Sequence, residues 1–234
     1  MNQSTAKTGS LPLKVRTAVG LFAACGALTL AWTLMSQSVT SPVRFLLLLV
    51  LAVGTANKKF RLYKDSSISF LTSVVLLSLM VAGPVDAILI AICGVAVQTY
   101  FPSRKLVMHR LLFNAGMIAV TVKATCWTYT FCTALTPEGP LNQLIAALAA
   151  ASVYYLGNSL SVSLMVALST GKGMWRMWLD HFAPSAPSFL VAGLLSLLAS
   201  QVTMQLPEAT MLVAIIPVVI GCYNYTLQFV ETRR

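Results

Sequence analysis

Uninterrupted apolar runs dominate the chain, covering approximately 15–36, 43–56, 67–82, 84–101, 108–134, 141–169, 185–206 and 209–230. Most are too long for strands, and they lack the polar face of a surface helix, so they predict membrane-embedded helices. Proline and glycine stand where the backbone must turn between them, at Ser41-Pro42, Gly83-Pro84, Pro102, Pro137 with Gly139 and Pro140, Pro184 and Pro207. A helix rising 1.5 Å per residue needs about 20 residues to cross a bilayer core of about 30 Å, which makes the second and third runs short. They are expected to tilt, to lie partly at the interface or to pack behind other helices. The pattern predicts an all-α integral membrane protein, a compact bundle of six to eight transmembrane helices. No repeat of fixed period and no low-complexity tract interrupts it.

Composition narrows the class further. Of 234 residues, 57% are hydrophobic and 9% charged, against about 25% charged in a soluble domain. The expected organisation is a polar N-terminal tail at 1–13, one polytopic membrane domain at 14–230 and a short tail at 231–234, with no connection long enough to fold as a soluble catalytic domain. The polar start followed by Lys14, Arg16 and an apolar run superficially resembles a signal peptide. The run reaches Met35 without a small-residue cleavage site and polar mature sequence after it, so it reads as a retained first span.

A net charge of +10 would point to nucleic acid in a soluble protein, but here the charge alternates with the spans. Lys7, Lys14 and Arg16 precede the first, Lys58, Lys59, Arg61 and Lys64 follow the second, and Arg104, Lys105 and Arg110 follow the fourth. Lys172 and Arg176 follow the sixth, and Arg233 and Arg234 the eighth. The opposite connections hold Arg44 with Asp86, Glu138 and Glu208. Because cytoplasmic loops retain Lys and Arg during insertion, both termini are expected in the cytoplasm. The partners this implies are the bilayer itself, anionic headgroups at the basic loops, and a second copy or another protein, with no nucleic acid.

Ionisable and amide groups inside spans are functional candidates by default. Lys123 is the one such charge, in the outer half of the fifth span, and Asp86 at the outer start of the fourth is a carboxylate that could neutralise it. Lys123 either snorkels to an interface marked by Trp127 and Tyr129 or contacts an anion in an outward-facing cavity. On the same helix, Asn114, Thr121, Thr125, Thr128 and Cys132 fall within about 40° of one line, with Lys123 about 180° from Asn114. Asn158 in the sixth span and Asn224 in the eighth are further amides. Interhelical glue is the competing role for this stripe, and Gly116, Ala119 and the Ala146–Ala151 stretch suit close helix packing. A ligand, if bound, is expected between the fourth, fifth and sixth spans, near Lys123, Asp86, Asn114 and Asn158.

Catalytic patterns find little support. His109 and His181 lie far apart in two connections, so no HExxH pair exists, and no aspartate pair sits within the spans. Gly157-Asn158-Ser159 has the look of a serine nucleophile turn, but no span carries a histidine to serve as its base. Gly171-Lys172-Gly173 is too short for a phosphate loop. Cys25, Cys93, Cys126, Cys132 and Cys222 show no CxxC spacing and are expected to be free thiols. No cofactor, metal or enzymatic activity is expected.

Leu112-Phe113-Asn114, Tyr154-Tyr155-Leu156-Gly157-Asn158-Ser159 and Leu168 to Trp178, with Ser67-Ile68-Ser69-Phe70 and Gly83-Pro84-Val85-Asp86-Ala87, occur in an order and spacing that carry a resemblance across residues 45–234. The chain resembles the N-terminal multi-pass sensor region of bacterial HD-domain phosphohydrolases and diguanylate cyclases. In those proteins the region precedes a cytoplasmic cyclic-dinucleotide domain joined to its last helix, a junction that would fall here at Glu231–Arg234. The resemblance implies a multi-pass sensory or anchoring module of a bacterial inner membrane, its output in a missing domain or another chain. The layout is also similar to that of substrate-binding components of vitamin transporters, an analogy of architecture alone. A structural subunit of a larger membrane complex is the third class.

Overall fold

The computed structural model describes residues 12–39, 41–56, 59–63, 66–101, 107–135 and 139–205. In chain order these form α1 (Leu13–Ser36), α2 (Pro42–Thr55), β1 (Lys59–Tyr63), β2 (Ser66–Ser69), α3 (Phe70–Val81), α4 (Pro84–Tyr100), α5 (Met108–Leu135) and α6 (Pro140–Thr170). Then follow α7 (Met174–His181), a 3-10 turn (Ala183–Ser185) and α8 (Ala186–Gln205). Four stretches, Leu13–Ser36, Met108–Leu135, Pro140–Thr170 and the run Met174–Thr203, are long and apolar enough to cross a membrane, and α2, α3 and α4 are shorter apolar helices. The first seven apolar runs thus correspond to α1 to α6 and α8. The eighth, at 209–230, lies outside the described residues, as do Asn224, Cys222, the tail at 231–234 and most of the tail at 1–13.

Two features depart from the expected map of apolar helices. The link between α2 and α3 is an antiparallel hairpin, with Lys59 opposite Ser69, Phe60 opposite Ile68 and Arg61 opposite Ser67, so the third apolar run begins as a strand. Strands of five and four residues are too short to show a period, yet pairing satisfies backbone groups that a bare loop would leave to solvent. The second departure is α7, an eight-residue helix that breaks at Ala183–Ser185 before α8 begins.

Local chemistry sets the helix boundaries. Pro42, Pro84 and Pro140 open α2, α4 and α6, where the missing N–H removes nothing the first turn would use. Gly83 joins α3 to α4 at φ 93° and ψ −177°, a region essentially closed to residues with a Cβ. Gly171 ends α6 in the left-handed conformation at φ 71°, its N–H donating to the Ala167 carbonyl at 2.8 Å.

Helix α3 is almost wholly enclosed. Ten of its 12 residues are buried, because it is apolar all round and lies against α2, α4 and α8. At about 18 Å it is too short to span, and it is held by the longer helices instead. The core runs from Leu48 and Val75 through Ile88 and Ile90 to Ile118, Val122 and Ala151. Helix α1 is peripheral: Leu21, Leu28, Trp32 and Met35 are exposed.

Relative directions follow from cross-helix pairs. Phe22 meets Phe113, and farther along both helices Leu28 to Trp32 line the same cleft as Val120 to Trp127, so α1 and α5 run parallel. The Gln98 amide donates to the Ala56 carbonyl at 2.7 Å, and Arg44 to the Val81 carbonyl at 2.8 Å, so α2 parallels α4 and opposes α3. Thr99 with Asn114 makes α4 oppose α5, and Gln201 with Gln143 makes α8 oppose α6. Lys14, Arg16 and Arg110 consequently share one end of the bundle, and Arg44 and Asp86 lie at the other. Cys25, Cys93, Cys126 and Cys132 are free thiols, and non-reducing electrophoresis of the native chain should reveal no intramolecular disulfide; a mobility shift on reduction would contradict this.

Candidate functional site

A close helix crossing sits below a cleft between α1 and α5. Where α1 crosses α5, a Cβ on Gly26 would collide with the Gly116 backbone, and one on Gly116 with the backbone of Phe22 and Ala23. Two glycines facing each other let the backbones touch, as small residues do in membrane helix pairs. Phe22 and Phe113 close the side of the crossing nearer Lys14 and Arg110 edge to face, their centroids 5.1 Å apart. Past the glycines the helices separate, and side chains grow from Gly to Leu, Lys and Trp.

The space that opens is a cleft of about 570 Å³ lined by Leu28, Thr29 and Trp32 from α1 and by Val120, Lys123, Ala124 and Trp127 from α5. Its lining is apolar but for Lys123 and Thr29, and the Thr29 hydroxyl already donates to the Cys25 carbonyl at 2.8 Å. Lys123 is 9% exposed. Among the described residues its ammonium meets the Trp127 ring, 5.8 Å from the centroid, a cation–π contact one helical turn along the same face. Because α1 and α5 run parallel, the end of α1 at Ser36 lies level with about Trp127. Lys123 is therefore about one turn below the point where α1 ends, and Trp32 and Trp127 stand exposed around the mouth.

The other candidates are dispersed. Asn114 donates to the Thr99 hydroxyl at 2.9 Å and ties α5 to α4 near the opposite end. Asp86 is fully buried in the first turn of α4, where the partial positive charge of the helix N-terminus favours a carboxylate. With Thr99 opposite Asn114, antiparallel geometry sets Asp86 level with about Trp127. Asn158 is half-buried on α6. Thr121 faces α6 at Gly157, where a Cβ would meet its side chain 2.8 Å away. The Thr125 and Thr128 hydroxyls bond back to carbonyls of their own helix at 2.8 and 3.0 Å. Asn114 and Thr121 thus face α4 and α6 while Lys123 looks toward α1, and the cleft that Lys123 lines takes in none of Asp86, Asn114 and Asn158.

Two sequence patterns that stand apart in the chain meet in space. Trp178 of α7 donates to the Ser159 hydroxyl at 2.9 Å, and the Tyr155 hydroxyl donates to the Phe182 carbonyl at 3.0 Å. Trp175 stacks on Trp178 with centroids 5.1 Å apart, leaving Lys172, Arg176 and Trp175 exposed. The Gly157-Asn158-Ser159 pattern is continuous helix, and its serine anchors α7. Trp178→Phe and Ser159→Ala should each lower stability by about 1 kcal/mol. The double variant should lose no more than either single one in chemical unfolding, and full additivity would show that the two groups act separately.

Sequence reading found Lys123, Trp127 and Gly116 but missed the α1 half of the cleft. Gly26, within Ala23-Ala24-Cys25-Gly26-Ala27, was the available signal, a small-residue patch matching Gly116. Comparison with family models, curated proteins and solved structures finds no match to this chain.

Proposed function

We propose that the chain is a non-catalytic, membrane-embedded recognition module of the multi-pass sensor type, whose output or coupling resides in another chain or in a cytoplasmic domain. The observation that carries this reading is Lys123, a cation 9% exposed and facing an apolar cleft of about 570 Å³. Such a group inside a span is expensive unless it serves a ligand or an interface. The resemblance to sensor regions of bacterial HD-domain phosphohydrolases and diguanylate cyclases supports the sensor assignment. The gathering of Lys14, Arg16 and Arg110 at one end of the bundle supports a cytoplasmic N-terminus, and the charge alternation along the sequence and the sensor resemblance support eight embedded segments with both termini cytoplasmic, in a bacterial inner membrane.

Two experiments test it. Single cysteines introduced as Lys59→Cys and Glu138→Cys should react with an impermeant thiol reagent from opposite sides, and labelling from the same side would refute the topology. Isolation of the native assembly in mild detergent should yield a partner or ligand at fixed stoichiometry, lost in Lys123→Met with the fold intact. Turnover by the purified chain alone would overturn the reading. An assembly unchanged by Lys123→Met would favour a structural subunit, a role suited to Asn114 and Thr99, whose hydrogen bond joins two helices.

A further inference from the structure

We propose that the α1/α5 cleft holds one anionic phospholipid, its acidic head against Lys123 and an acyl chain descending past Leu28 and Val120. This rests on the recognition reading and names the ligand class of that site. The cleft's volume of about 570 Å³ falls within the range of small-molecule sites, about 300 to 1,000 Å³. Its shape is that of a wedge: the backbone contact of Gly26 with Gly116 closes the floor. From Gly116 to Trp127 the wall rises about 16 Å.

Three observations select a lipid over a soluble anion. The walls around Lys123 are apolar, and the Thr29 hydroxyl is already engaged by its own helix, so the cleft offers a single cation and otherwise hydrocarbon. It opens beside α1, the helix with exposed Leu21, Leu28 and Trp32, so access is lateral, from the bilayer. Trp127, 65% exposed, stands level with the end of α1, and Trp32, 68% exposed, stands one turn below it beside Lys123, as aromatic residues do where a belt marks the headgroup boundary. A lysine one turn below reaches that boundary along its own stem. A net anion is preferred over a zwitterion because the choline of the latter would repel the ammonium.

The test uses the purified full chain reconstituted in vesicles of equimolar phosphatidylglycerol and phosphatidylcholine, extracted gently, with retained lipid quantified by mass spectrometry. Wild type should retain phosphatidylglycerol enriched about fivefold over the bulk ratio. Lys123→Arg should keep the enrichment and Lys123→Met should return it to the bulk ratio. Ala124→Trp, which fills the cleft and leaves the charge in place, should also abolish it, and this arm stands if Lys123→Met fails to fold by circular dichroism. Inorganic phosphate at about 10 mM should not displace the lipid; full displacement would identify a soluble-anion site and overturn the proposal. So would a wild type with no enrichment, or enrichment unchanged in both cleft variants, which would locate the lipid at the basic loops. Loss of this proposal leaves the native partner stoichiometry untouched, whereas failure of the recognition reading appears there whatever lipid is bound.

Discussion

Gly116→Leu should detach α1 from the bundle. A Cβ at Gly116 falls on the backbone of Phe22 and Ala23, not on the tip of a flexible side chain, so no rotamer change relieves the clash. The helices must part, and with them go the Phe22–Phe113 contact and the small apolar cluster of Val15, Val19, Phe113 and Met117. The expected loss is about 3 kcal/mol, at the upper end for overpacking. Gly26→Leu should behave alike, since its Cβ meets the same crossing from the other side. Gly20→Leu is the control: nothing lies within 4 Å of a Cβ there, and its stability should match wild type. Denaturant unfolding in detergent, followed by proteolytic release of α1, measures the difference. Equal stability of Gly116→Leu and Gly20→Leu would show that the crossing does not hold α1.

Gly83→Val should destabilise the turn between α3 and α4 by about 1 to 3 kcal/mol. The reason is local: φ 93° with ψ −177° brings a Cβ against the preceding carbonyl, and the rigid Pro84 that follows removes the slack to escape. The turn also delivers Asp86 to the first turn of α4 and receives the Arg44 bond to Val81, so its distortion should spread to both. Gly139→Val gives the comparison. Gly139 has φ 165° and ψ 169°, extended backbone open to any residue, and nothing stands near a Cβ there. A larger loss at Gly139 than at Gly83 in the same unfolding assay would defeat the conformational argument.

The apolar run lengths and the turn residues carried most of the helical map, because burial of about 20 apolar residues in a bilayer is a property of composition over a window. Pro42, Pro84 and Pro140 marked helix starts for an equally local reason, a fixed φ and a missing donor. The hairpin at Lys59–Ser69 was illegible, since its pairing joins residues through hydrogen bonds that leave no period in so short a stretch. Helix α7 was illegible too. Its Trp178 is secured by Ser159 and Tyr155 on a different helix, and that anchorage is a tertiary fact.

The candidate site divides in the same way. A lone lysine in an apolar span declares its own cost, so Lys123 was visible without any fold, as was Trp127 one turn away. Linear spacing also separated Lys123 from the Asn114 stripe by half a helical turn. What it could not supply was the neighbour on the far wall. Leu28, Thr29 and Trp32 reach the cleft only because Gly26 and Gly116 let α1 lie against α5, a pairing of residues distant in the chain. Which residues enter the membrane is decided by transfer free energies that each segment carries alone. Which of them face one another is decided by where two backbones can touch, and only the packed bundle specifies that.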